Sequence, residues 1–166
     1  MTPLAQLHFD IDARVQTILD SRDEWLCGKG CDNCCRHLAE VPQLTFPEWA
    51  LLREGLVALA PERLEEIRRT MLGICSQQAR PIICPMLELA SGSCPVYRQR
   101  PVACRTYGFY VQRDKGLYCH DLESLVDDGV LLDVVWGNHD AIDQRLAQLG
   151  ERRALTDWFA CWMVES

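Results

Sequence analysis

The sequence predicts an α+β fold, predominantly helical, in one small domain with short β-hairpins. Three observations carry that reading. Apolar residues recur at helical spacing near the N-terminus, over residues 47–80 and again after residue 138. Prolines at 81, 85, 95 and 101 and glycines at 92, 108 and 116 break up the stretch between, where only short hairpins fit. A length of 166 residues with 48% hydrophobic and 25% charged side chains suits a single unit with its own core.

Phe9, Ile11, Val15, Ile18, Leu19, Trp25 and Leu26 predict an amphipathic helix from about residue 9 to 24, which delivers the chain into Cys27. Thr45, Pro47 and Glu48 read as a capping box that opens a helix over about 47–59. Pro61 and Glu62 open another, with Leu64, Ile67, Met71, Leu72 and Cys75 on one face until Arg80-Pro81 stops it. These two are expected to form an antiparallel pair covering the cysteine region. Met86 to Leu89 and Val96-Tyr97 flank a Ser91-Gly92 turn, and Tyr107 to Val111 and Leu117-Tyr118 flank Asp114-Lys115-Gly116; each reads as a hairpin. Asn138 caps a helix through Leu149 that ends at Gly150, and Thr156 caps a last helix through Val164. The cysteine region spans about residues 25–120 and a C-terminal helical extension about 121–166.

Ten cysteines are the abnormal entry in the composition. The net charge of -7 argues against a nucleic-acid partner, which normally meets a basic surface. No apolar run reaches the roughly 18 residues of a membrane span, and MTPLAQLHFDID turns acidic where a signal peptide has its apolar core. The expected compartment is therefore the cytoplasm, with no membrane partner. Stable disulfides are rare there, so a high cysteine count points to metal or redox chemistry.

The first stretch is Cys27-Gly-Lys-Gly-Cys31-Asp-Asn-Cys34-Cys35-Arg36-His37. Four thiols on so polar and glycine-loosened a loop converge only if the chain wraps around something, and a metal is the usual reason. The second stretch supplies Cys84, Cys94, Cys104 and Cys119, with Arg98, Arg100 and Arg105 interleaved. Those arginines either offset the surplus negative charge of an all-thiolate site or lie in solvent. Cys75 and Cys161 sit alone within helical patterns and read as small core residues.

These residues resemble a known family. Cys27-x3-Cys31-x2-Cys34-Cys35-Arg-His, Cys84-Pro-Met-Leu, Gly92-Ser-Cys94-Pro-Val-Tyr97 and Arg100-Pro101-Val-Ala-Cys104-Arg105-Thr-Tyr107 are similar to the CxxCxxCC zinc- or iron-chelating family, the YkgJ-like cysteine cluster proteins. The resemblance implies metal chelation by Cys27, Cys31, Cys34, Cys35, Cys84, Cys94 and Cys104, with Cys119 where the pattern is looser. A related segment occurs in a flagellin lysine methylase described as carrying an iron-sulfur cluster. The spacing Cys27-x3-Cys31-x2-Cys34 also matches that of radical S-adenosylmethionine enzymes. The short chain, Asn33 in place of an aromatic residue and the extra thiol of Cys35 count against that match.

Eight candidate thiolates are twice what one tetrahedral zinc or one four-iron cluster needs. Adjacent residues such as Cys34 and Cys35 are expected to point apart, serving two metals or a polynuclear cluster and a neighbour. The expected cofactor is an iron-sulfur cluster, with zinc as the competing reading. His37 and His120 lie close to cysteines and read as supporting or surface groups before ligands. The acidic stretch from Asp121 to Asp143 lacks the spacing of a calcium loop and reads as a solvated face. No Ser/His/Asp order, phosphate loop or H-E-x-x-H pattern is present. The sequence therefore supports a cluster protein with an electron-transfer or redox role and an unidentified protein partner. The alternatives are a zinc-stapled interaction module without catalysis and a methyl-transfer or redox enzyme accessory.

Overall fold

The computed structural model describes residues 1–165. Among these, α1 (Pro3–Asp20), α3 (Phe46–Val57), α4 (Pro61–Ser76), α7 (His139–Leu149) and α8 (Leu155–Glu165) are the long helices. The short α2 (Asn33–Arg36), α5 (Val102–Thr106) and α6 (His120–Asp127) lie between them. The strands β1 (Gln43–Leu44), β2 (Tyr110–Gln112), β3 (Lys115–Gly116), β4 (Gly137–Asn138) and β5 (Arg153–Ala154) are two or three residues long. The α+β, mostly helical architecture read from the sequence is the one observed.

Helix α1 begins well before the expected residue 9. The Thr2 hydroxyl accepts from the Ala5 amide at 3.1 Å, and Pro3 occupies the first turn, where its missing N–H is harmless. Its buried stripe is Leu4, Leu7, Ile11 and Ile18, whereas Phe9 lies off that stripe and is 62% exposed. Taking Phe9 as a core position is what set the expected start too late. Helix α4 ends at Ser76, short of Arg80. The Arg80 guanidinium turns back to the carbonyls of Gln77 and Ala39 and to the Glu40 carboxylate, which holds the connecting loop. Helices α3 and α4 bury their apolar residues in one cluster, and each also packs elsewhere: α4 on α8, and α3 on a 3-10 turn at Tyr97–Gln99.

The second hairpin forms with its turn displaced by one residue. Val111 pairs with Gly116 and Gln112 with Lys115, leaving Arg113-Asp114 as the turn, with Asp114 at φ 58°. Gly116 is there for space, since a Cβ would stand 1.9 Å from the Tyr118 ring. The first hairpin reduces to one bridge, Glu88 with Ser93. Parallel pairing of β2 with β4 and antiparallel pairing of β1 with β5 stitch the C-terminal third to the rest.

Apolar side chains gather in two clusters. The first contains Leu52 and Leu56 of α3, Ile67 and Met71 of α4, and Phe159 and Trp162 of α8. The second contains Leu7 and Ile11 of α1, Val102 of α5, Phe109, and Ile142 and Leu146 of α7. Glu48 links them. Its carboxylate, 2% exposed, accepts from the Thr45 amide and hydroxyl, each at 2.8 Å, and from the Val102 amide at 3.0 Å, 54 residues away. The acidic half of the expected capping box thus also caps α5.

Replacing Glu48 by alanine strands a buried amide at each helix start. The expected loss is about 2–3 kcal/mol in urea unfolding, with a smaller loss for Glu48→Gln, which keeps one acceptor oxygen.

Candidate metal centre

The first cysteine stretch is laced to the second by backbone hydrogen bonds. Leu38 and Ile82 form a bridge, with Leu38 N–H to Ile82 O at 3.0 Å and Ile82 N–H to Leu38 O at 2.7 Å. One step further along, the Cys84 amide donates to the Cys35 carbonyl at 2.7 Å. Arg36 extends the lacing by pairing with Asp32 at 2.6 Å and donating to the Leu89 carbonyl at 3.2 Å. Gly92, at φ 68°, lies against Asp32, and a Cβ there would stand 2.9 Å from the carboxylate.

Cys104 rides on α5, whose first amide is the one Glu48 caps. The next residue, Arg105, anchors this helix by donating to the carbonyls of Arg100 and Arg98 and to both oxygens of Asp12 on α1. Cys27 approaches from the other side, its Sγ 3.5 Å from the Tyr107 carbonyl oxygen. Gly108 makes that approach feasible, because it holds φ 87° and a Cβ would lie 2.6 Å from the Cys27 sulfur.

The result is one cavity of about 280 Å3 lined by Cys27, Cys31, Cys34, Cys35, Cys84, Cys94 and Cys104. Apolar side chains from both clusters, Leu52, Met86 and Val96 from one and Phe109 from the other, complete its wall. Cys119, which precedes α6, is not in the lining but lies near enough to Cys27 to act on it electrostatically. Cys34 and Cys35, expected to point apart, both line the same cavity, because its concave wall wraps around the short α2. All ten cysteines are free. Cys75 and Cys161 are exposed, against their reading as core residues. On α4 the buried line runs Ile67, Met71, Ile74, and on α8 it runs Leu155, Phe159, Trp162; each cysteine sits one residue, or about 100°, off that line.

His37 and His120 are both exposed; His37 Nδ1 lies 2.8 Å from the Asn33 carbonyl oxygen, and His120 faces Glu123. The arginines divide. Arg98 is exposed, whereas Arg100 and Arg105 line the cavity, and the Arg100 guanidinium stacks 3.5 Å from the Tyr97 ring centre.

Burial and crowding favour the protonated form of five of these thiols, Cys27, Cys34, Cys35, Cys94 and Cys104. Burial, reinforced by neighbouring thiols, pushes Cys27 and Cys104 up to about 12 from the ordinary 9.0, and burial also raises Cys94. Cys34 is raised by its hydrogen bond with Cys35 and then by burial. Cys35 is lowered by that same bond but ends at about 12 through its hydrogen bond with Cys84, burial and the thiols of Cys84 and Cys94. The Arg100 charge works the other way on Cys27, Cys94 and Cys104. Burial, then the cysteines around it, carries the Tyr107 hydroxyl up to about 12.

Arg105 is already paired with Asp12, so among the described residues only Arg100 and Lys29 face the seven thiols as cations without a carboxylate partner. Such a set ionises together only if further positive charge enters the cavity, and soft thiolate donors suit zinc or iron. The donor chemistry therefore fits a bound metal. Among the described residues, however, no three Cys, His, Asp or Glu side chains converge on a point that would hold a single ion.

Several contacts of this site had no signal in the sequence: Glu48 with the first amide of α5, Asp12 with Arg105, and the Tyr97 ring under Arg100. Gly108 was visible as a helix breaker, but its contact with Cys27 was not.

The family model described as "CxxCxxCC: Putative zinc- or iron-chelating domain" matches residues 26–123. The chain belongs to this CxxCxxCC family. No curated protein and no solved structure matches it.

Two outcomes follow from this geometry. Because Cys27, Cys35 and Cys104 titrate near 12 when folded against 9.0 ordinarily, their protonated forms favour the fold. The metal-free chain should hold its melting temperature below about pH 9 and lose it progressively as the pH climbs toward 12. In the same preparation at neutral pH, a thiol reagent should modify Cys75 and Cys161 at least tenfold faster than Cys27 and Cys104. Equal rates would show that the cavity does not shelter its thiols.

Proposed function

We propose that this CxxCxxCC protein holds an iron-sulfur cluster in the seven-cysteine cavity and serves an electron-transfer or redox role. One observation carries the reading. Seven thiols surround a single space of about 280 Å3, yet no three of them meet as a lone ion would require. A polynuclear group has the spread that such an arrangement demands, because its ligands attach to different metal atoms. The ligand candidates are Cys27, Cys31, Cys34, Cys35, Cys84, Cys94 and Cys104, more than one four-iron cluster uses, so the surplus thiols lie beside the cluster. Cys119 stands nearby as a further candidate.

When bound, an iron-sulfur cluster supplies a reversible one-electron centre. The chain's part is to hold it and tune it. Leu52, Met86, Val96 and Phe109 keep water from the cavity wall, and Arg100 supplies positive charge close to three of the thiols. Cationic charge and hydrogen bonds beside a cluster favour its reduced, more negative form, so Arg100 would raise the reduction potential of a cluster held here. Cys31, exposed and lining the cavity, marks the side on which a bound cluster would be open to a redox partner.

Anaerobic purification with visible spectroscopy and assays for iron and acid-labile sulfide tests the reading. The expected product is brown, with iron and sulfide in comparable amounts. Cys34→Ala and Cys104→Ala should lose most of both, and Cys75→Ala and Cys161→Ala should keep them in full. A colourless protein with stoichiometric zinc and no sulfide would refute the cluster and leave a zinc-stapled module in its place.

A further inference from the structure

A second concavity, of about 630 Å3, opens on the outer side of the cysteine cavity. Cys94, Lys29 and Tyr97 line both spaces, so these three residues are the wall between them. The outer groove runs between the last turns of α3 and the 3-10 turn at Tyr97–Gln99. Gly55 faces the Gln99 side chain across the groove, where a Cβ would stand 2.9 Å from it.

The charges around this groove run against the rest of the molecule. The chain carries a net charge of -7, but Lys29 and Arg98 line the groove and no acidic residue does. Both cations are exposed, and among the described residues neither side chain has a carboxylate partner. Lys29 rests 5.8 Å over the Tyr97 ring, which the Arg100 guanidinium also stacks upon. The C-terminal end of α3 reaches the groove at Ala58 with about half an elementary negative charge, which two full cations outweigh. Unpaired cations at the mouth of a concavity attract and orient anions, and its volume suits a small organic molecule.

We infer that this groove is an anion-selective approach to the centre. It takes a small organic anion, a carboxylate or phosphate ester, whose charged end meets Lys29 and Arg98 and whose body lies against the Cys94 wall. The inference rests on the metal-bearing reading of the inner cavity but not on which metal is bound there.

The test is the rate at which the loaded, full-length protein gives up its metal to two chelators, anionic EDTA and neutral phenanthroline. In wild type, EDTA extraction should slow with rising salt while phenanthroline extraction hardly changes. Lys29→Gln combined with Arg98→Gln should slow EDTA roughly threefold to tenfold relative to phenanthroline. Both substitutions lie at exposed side chains, and circular dichroism checks that the fold is kept. An EDTA to phenanthroline ratio indifferent to salt and to the double substitution would overturn the inference. A protein isolated without metal would sink the preceding reading instead. The groove is then tested by iodoacetate against neutral iodoacetamide on Cys94, with exposed Cys75 and Cys161 as references in the same chain. The anionic reagent should be favoured at Cys94 alone and only while Lys29 and Arg98 are present; equal preference at all three cysteines would overturn it.

Discussion

Seven thiols facing one small, partly dry space set the terms for the rest of the molecule. Each thiolate would cost desolvation energy, and each raises the cost of ionising the next, so burial and crowding push Cys27, Cys35 and Cys104 up to about 12. A chain left to itself would spread such groups over the surface. Here they are held together by bonds made elsewhere: the bridge of Leu38 with Ile82 places Cys35 beside Cys84, Glu48 fixes the start of the helix bearing Cys104, and Arg105 fastens that helix to Asp12 of α1.

The shape of the fold follows from that requirement. Long helices and long strands would space the cysteines regularly and send them to different faces. Residues 81–119 form instead one five-residue helix, a 3-10 turn, two isolated bridges and a hairpin of minimal length, with Pro101 and Gly108 bounding the helix that carries Cys104. The long helices stand around this region and bury two separate apolar clusters, and the cavity lies at their seam. Cys84 and Cys94 pack against one cluster and Cys27 against the other.

Features that depend on neighbours in the chain could be read from the sequence. The Thr45 and Glu48 cap, the Asn138 cap with Gly150 closing its helix, and the seven cysteines of the shared cavity all have signals within a few residues. What escaped was decided across the chain or by helix phase. Phe9, Cys75 and Cys161 are apolar enough for a core, and only the direction from which the other helices pack leaves them exposed. The third acceptor role of Glu48, toward Val102, and the salt bridge of Arg105 with Asp12 join residues 54 and 93 positions apart. No local pattern announces either. Cys34 and Cys35 were misjudged for a related reason: adjacency fixes how far apart two side chains start, but the concave surroundings decide that both end at one space.

The two apolar clusters also bear on what a bound metal does for stability. A small zinc module typically lacks a core and folds only with its ion. Here Leu44, Leu56, Ile67 and Phe159 are fully buried in one cluster and Leu7, Ile11 and Val102 in the other, and cysteines only border these clusters. Glu48 and the β1–β5 pairing tie distant segments together independently of the thiols. A bound metal would therefore stabilise mainly the seam, where it would take up the charge of the gathered thiolates.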